Sequence, residues 1–350
     1  MKAAVYNGLR DYRIEDVPEP SAGEDGVVVK VRAAGVCGGD LHAYKDMHME
    51  RPPGRLVYGH ENAGEVVEVG KNVEGVAVGD RVFAEAFGFC FQCDACKQKN
   101  FFACTSGLRI AGLSSLNGGF AEYLWVPVVF KHPQTGVPTN ILKLPDTMSF
   151  NEAALVEPIN IGSGVVKGLA PDPDETVLVM GAGMIGLGTI MCLKSAGVGK
   201  IISCDISDLR LKAAGELGAD ILINGETEDV PARIMAETAG AGADIVIEAA
   251  GMPETFHQAI ASVRRGGRIS VVAYFETPVD FRPHLLINKG VGIQPGGGGN
   301  FFDAFDLVKS GAVTEAQVVS HVFPLEKINE AHETAIDTKH SIKVMINPWQ

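Results

Sequence analysis

Two kinds of apolar run divide the chain. Up to about residue 150 the β-branched stretches are short and broken by glycine and proline, as in "GVVVKVRAAGV", "AGEVVEVG", "GDRVFAEA" and "FAEYLWVP". Punctuation this frequent predicts a compact, mostly β domain. After "LKLPDTMSFNEAALVEP" the character changes to unbroken apolar runs: "ETVLVMGAG", "KIISCDIS", "ADILIN", "ADIVIEAAG" and "GGRISVVAYF". Such runs read as strands buried on both faces. Helical segments lie between them, among them "LRLKAAGELG" and "PETFHQAIASVRRG". Strands alternating with helices predict a parallel, doubly wound sheet, so the fold class is α/β. The stretch from "FFDAFDLVKSGAV" to "KVMIN" leaves that rhythm and is expected to return to the first domain. No internal repeat or low-complexity tract is visible, and the run Gly296 to Gly299 is too short for a linker.

Composition narrows the class. A chain of 350 residues holds two domains with a sizeable core in each. With 46% hydrophobic and 21% charged residues it reads as a soluble globular protein rather than a disordered one. A formal charge of -13 argues against nucleic acid or an anionic membrane surface as a partner. The opening "MKAAVYNGLRDYRIED" lacks the apolar core of a signal peptide. Residues 176–193 carry no charge and have the length of a membrane span. Their glycines instead suggest a buried strand, a turn and a packed helix start. The expected location is the cytoplasm. There the seven cysteines serve as metal ligands and core fillers rather than as a disulfide framework.

The run "VLVMGAGMIG" places Gly181, Gly183 and Gly186 as G-x-G-x-x-G between a strand and a helix. Gly181 permits the tight turn, Gly183 admits a pyrophosphate close to the backbone, and Gly186 lets helix and sheet pack. The helix that begins at Met184 and Ile185 offers unpaired N–H groups and its dipole to phosphate. On its own the pattern is weak, because packing also produces glycine-rich strand–helix turns. Asp205 strengthens it: it closes the second strand, 19 residues past Gly186, where an acid accepts both adenosine ribose hydroxyls. A carboxylate there repels a 2′-phosphate, which favours NAD over NADP. Arg210, five residues on, offsets this if it reaches the site; a solvated helix face is its commoner setting.

Two metal sites are expected. Cys90, Cys93, Cys96 and Cys104 follow C-x2-C-x2-C-x7-C, which suits a closed, tetrahedral structural zinc, with an iron–sulfur cluster as the metal alternative. The remaining cysteines Cys192 and Cys204 read as core. A second set must come from distant residues: Cys37 in "GVCGGDLHAY", His60 and Glu61 in "YGHENAG", and Glu157 in "ALVEPINIG". A cysteine, a histidine and a carboxylate with one open position are a catalytic rather than a structural set.

These ordered motifs resemble the zinc-dependent, medium-chain alcohol dehydrogenases over essentially the whole chain. The resemblance implies a β-rich, GroES-like catalytic domain built from residues 1–157 and 296–350, around a Rossmann NAD-binding domain of residues 158–295. It implies two zinc ions and NAD, a small-molecule alcohol or ketone substrate, and a homodimer or homotetramer, with "VGIQPGGGG" where family dimers join their sheets. Cys37, His60 and Glu157 match the catalytic zinc ligands, glutamate at the last position marking the polyol, butanediol and threonine dehydrogenase branch. Glu61 matches the acid behind the zinc or transiently on it, since neighbours such as His60 and Glu61 are not both comfortable as permanent ligands. Asp40 matches the acid that fixes the tautomer of the ligand histidine. The remaining histidines match no motif.

In many members a serine or threonine two residues after the ligand cysteine starts a proton relay that ends at a histidine. His42 matches the histidine, but Gly39 stands in place of the hydroxyl. A water, a second substrate hydroxyl, or Glu61 or Glu157 acting as base through solvent remain as routes. The Arg-Tyr pair by which sorbitol-type enzymes grip a polyol is missing from "VGIQPGGGGN". Arg109, Arg282 and His284 are candidates for an anionic substrate group, against ordinary surface roles. The expected function is hydride transfer between NAD(H) and a polar secondary alcohol or ketone. A dismutase or epimerase with tightly held NAD, and a non-catalytic NAD-binding structural protein, are the rivals.

Overall fold

The central run of the first domain, the strand Gly26–Gly35, is buried almost from end to end. Both of its edges are paired: one with Glu61–Val69, the other with Tyr123–Pro127 and then Lys343–Asn347, all antiparallel. The sheet runs outward through Arg81–Ala84 to Ile141–Lys143 on one side and to Val319–Pro324 on the other. The computed structural model describes residues 1–45, 56–85, 87–88, 93–97, 105, 109–112, 116–128, 138, 140–299 and 301–350. A smaller sheet of Asp11–Asp16, Lys2–Gly8 and Leu56–Val57 completes the β structure around a core that includes Val29, Tyr12, Tyr44 and Phe120.

The second unit is a six-stranded parallel sheet. Its order is Ile221–Asn224, Lys200–Asp205, Thr176–Met180, Ala243–Glu248, Val263–Val271 and Gly292–Pro295, so the strand order reverses between Thr176–Met180 and Ala243–Glu248. This is the doubly wound arrangement expected from alternating strands and helices. Residues 176–193 form the strand Thr176–Met180, a turn and most of the helix Met184–Ser195. Among the described residues no helix is long and apolar enough to cross a membrane.

Packing divides the chain into Met1–Glu157, His321–Ile336 and Val344–Gln350 as one unit, and Pro158–Ser320 with Asp337–Lys343 as the other. The expected return to the first domain at residue 296 therefore differs from what is found. The helix Phe301–Lys309 stays with the nucleotide-type unit. Two local ties explain this: the Gly299 N–H donates to the Asn160 carbonyl at 3.0 Å, and Lys167 pairs with Asp303.

His332, without a motif in the sequence, is completely buried on the helix Ile328–Ile336. Its ring packs 4.7 Å from Tyr12 and 4.9 Å from Tyr44, and Nδ1 lies 2.8 Å from the Ile328 carbonyl. Burial pushes its pKa down to about 4 from the usual 6.5. The native state thus binds this proton less readily than the unfolded chain. Its contribution to stability is complete above pH 6.5 and is lost as the pH falls toward 4, by about 3 kcal/mol. Urea midpoints at pH 7.5 and 4.5 are expected to fall less in His332→Phe than in the wild type; equal falls would assign the acid sensitivity elsewhere.

Candidate active site

Ladder register brings the distant metal-type residues together. Gly35 pairs with Glu61 at one end of the central strand pair, so Cys37, two residues on, meets the chain entering Glu61–Val69. Gly59 sets the entry. Its φ is +95°, and a Cβ there would stand 2.7 Å from the Phe120 ring, so only glycine fits this turn. His60 lies just outside the strand and Glu61 begins it, so the alternation that sends neighbouring strand side chains apart does not apply. The Cys37 sulfur, a His60 nitrogen and a Glu61 oxygen lie within 4.8 Å of one another, the one such group of three among the described residues. The adjacent pair that looked unsuited to a joint role converges, with Glu61 lying beside Cys37 and His60.

Asp40 supports this arrangement from the helix Gly38–Lys45. Its Oδ2 accepts from the Cys37 N–H at 2.9 Å, and its Oδ1 lies 3.7 Å from His60 Nδ1. His42 sits half-buried on the same helix. Burial pushes the Cys37 thiol up, with His60 opposing. Burial also works against charge on His60, but Cys37, Asp40 and Glu157 outweigh it and hold the imidazole well above its usual pKa. The site collects negative charge and calls for a cation. Glu157, at the start of the helix Val156–Leu169, is near enough for its charge to act on His60.

The sequence reading missed Glu85, a buried carboxyl just past Arg81–Ala84 whose pKa burial and Glu157 raise well above normal. Its signal was a charge closing an apolar strand. Of the four-cysteine lobe, Cys93 is a half-buried thiol before the helix Asp94–Lys97. Cys90, Cys104 and the side chain of Cys96 lie outside the described residues, as does the side chain of Arg109. Cys204 is buried in the core, Cys192 is half-buried, and Arg282 and His284 are exposed.

At the reversal of strand order in the second unit lies a pocket of about 520 Å³, lined by Gly181, Gly183, Asp205, Arg210, Ala249 and Thr338, among others. Gly181 has φ +93°, and a Cβ on Gly186 would collide with the Gly181 carbonyl oxygen. Gly183 differs: a Cβ there meets nothing nearer than Arg210 Nη1 at 3.6 Å, so the space beside it is open. Met184 and Ile185 open the helix behind it. Asp205 accepts from the Ala182 N–H at 2.6 Å and the Ser207 N–H at 2.9 Å, which ties the glycine turn to the second strand. Arg210 is not the solvated residue expected. It is half-buried, donates from Nε to the Ser341 carbonyl at 2.9 Å, and burial lowers its pKa against the pull of Asp205 and Asp337. Glu248, also missed, is fully buried and accepts from the Ala250 and Gly251 N–H groups and from Thr255, shaping the pocket wall.

Both implied groups fit these residues. A buried sulfur, imidazole and carboxylate, with His60 Nδ1 lacking a hydrogen-bond partner among the described residues, suit zinc. The cradle at Gly183 suits a pyrophosphate.

Comparison with known proteins agrees. Residues 23–135 match the alcohol dehydrogenase GroES-like domain and residues 185–310 the zinc-binding dehydrogenase domain. The chain is 33% identical to sorbitol dehydrogenase of Bacillus subtilis (strain 168), over 99% of this chain and 97% of that protein. It is 34% identical to L-threonine 3-dehydrogenase of Pyrococcus horikoshii, over 91% of this chain and 89% of that protein. The crystal structure of 2R,3R-butanediol dehydrogenase from Bacillus subtilis superposes with a TM-score of 0.84 at 31% identity, covering 99% of both chains.

Proposed function

Since this chain belongs to the zinc-binding alcohol dehydrogenase family, we propose that it oxidises a secondary alcohol with a polar neighbour, such as a diol, polyol or hydroxy acid derivative, using NAD. The observation that carries this reading is the convergence of Cys37, His60 and Glu61 within 4.8 Å. These three residues hold the catalytic ion, with Glu157 close by. When bound, zinc supplies a Lewis acid that lowers the pKa of an alcohol hydroxyl, and NAD supplies the hydride acceptor. The chain's own residues do the rest. Asp40 orients the pair Cys37–His60 through its two oxygens. Gly181, Gly183, Met184, Ile185 and Gly186 cradle the pyrophosphate, while Asp205 and Arg210 flank the adenosine ribose. The Asp205 carboxylate supports NAD over NADP by repelling a 2′-phosphate. His42 receives the alcohol proton, with water or a second substrate hydroxyl bridging the gap that Gly39 leaves. That bridging role favours substrates with vicinal polar groups, in keeping with the sorbitol, threonine and butanediol relatives.

A second zinc on Cys90, Cys93, Cys96 and Cys104 belongs to this reading, as does a cytoplasmic location. So does a homodimer or homotetramer: among the described strands Gly292–Pro295 lies at the edge of the parallel sheet, where a second copy could pair. The test is a panel of secondary alcohols, diols, polyols and hydroxy amino acids with NAD and NADP, read as net NADH or NADPH formation, beside metal analysis of the same preparation. Diols or polyols with NAD are expected to lead, with two zinc ions per chain. Preference for simple primary alcohols, for NADP, or no net reduced cofactor would defeat this assignment.

A further inference from the structure

Glu85 sits where the catalytic site's own geometry gives it a task. Asn62 pairs with Ala84 between Glu61–Val69 and Arg81–Ala84, and this antiparallel register, continued by one residue, brings Glu85 opposite Glu61. Residues so opposed carry their side chains on one face, with Cβ atoms about 5 Å apart. Both are buried, Glu61 at 1% and Glu85 at 4% exposure. The Glu85 backbone is fixed on both sides: its N–H donates to the Asn140 carbonyl at 3.0 Å, and Asn140 Nδ2 donates to its carbonyl at 2.9 Å. Its Oε2 has no hydrogen-bond partner among the described residues.

Two ionised carboxylates facing each other away from water repel, so such a pair holds either a proton or a nearby cation. We propose that Glu85 is a positioning residue of the metal site, backing Glu61 across the strand pair and tightening the hold of Cys37, His60 and Glu61 on the ion. This rests on the reading that those three residues are the metal site.

Carboxylates that support a ligand from behind are worth about 10–100-fold in metal affinity. In the full-length enzyme, Glu85→Gln keeps side-chain size and removes the charge. Competition with a chelator is expected to show the Cys37-dependent zinc held about 10–100-fold more weakly, and the visible absorption of the cobalt-substituted enzyme is expected to shift. Glu85→Asp, which keeps the charge but withdraws it by one methylene, serves as the second variant should Gln not fold, and is expected to weaken zinc as well. Cys37→Ala calibrates both by losing the catalytic ion outright. If Cys37→Ala loses an ion while Glu85→Gln and Glu85→Asp keep wild-type affinity and cobalt spectrum, the role of Glu85 is refuted and the site stands. If Cys37→Ala loses none, the site reading falls and the role of Glu85 with it.

Discussion

In Cys37→Ala, one metal ion per chain is lost and turnover on the best alcohol falls by about a thousandfold or more. The magnitude follows from the chemistry. A Lewis acid contributes several kcal/mol to stabilising charge on the reacting oxygen, and each 1.36 kcal/mol is about tenfold in rate. The trio has three protein donors, so removing one leaves an imidazole and a carboxylate, a poor hold on zinc. Folding and nucleotide binding are expected to survive, because Cys37 belongs to Met1–Glu157 and the nucleotide pocket is lined wholly by the other unit. Far-UV circular dichroism, metal content, NADH fluorescence titration and turnover together make the test. Turnover above a tenth of wild type, with the ion gone, would show that the reaction does not need it.

Two glycines of one motif are expected to fail in opposite ways. Gly183→Ala meets no protein atom closer than 3.6 Å and occupies φ −68°, a conformation any residue adopts, so stability is retained. The new methyl takes the space of the phosphate, and NAD affinity drops by about 10-fold or more, since each misplaced contact in a tight site costs on the order of 1.4 kcal/mol. Gly186→Ala drives a methyl into the Gly181 carbonyl at the closest helix–strand approach. Overpacking of this kind costs about 1–3 kcal/mol and lowers the melting temperature by roughly 2–4 °C for each of them in a unit the size of the one that holds Gly186. Calorimetry with and without NAD separates the two. Equal thermal loss in both variants would mean that the glycines only serve packing.

Much of this molecule was legible from contiguous residues. The apolar runs from Thr176 to Val271 mark strands of the parallel sheet because a strand buried on both faces shows its state in every residue. The spacing of Gly181, Gly183 and Gly186 marks a turn between a strand and a helix, and Asp205, 19 residues past Gly186, strengthens its reading as a nucleotide site. Cys37 and His60 were identifiable as donors by residue type, although their meeting depends on strands far apart in sequence.

Tertiary structure decided the rest. That Glu61 meets Cys37 and His60 depends on the register of Glu61 against Gly35 and on the turn at Gly59, neither of which side-chain type encodes. Glu85 became meaningful only once the pairing of Asn62 with Ala84 set it opposite Glu61. Arg210 left its expected solvated face because Ser341, 131 residues away, supplies a carbonyl to hold it. The helix Phe301–Lys309 stayed with the second unit through Asp303 and Lys167. By itself the sequence determined the parallel sheet, the glycine-rich strand–helix turn and the donor-type residues Cys37 and His60, because each is written in neighbouring residues or in chemistry that belongs to one side chain. The meeting of Cys37, His60 and Glu61, the place of Glu85 and the path of the C-terminal part came only from tertiary structure, because strand register and long-range contacts are properties of pairs that no single stretch contains.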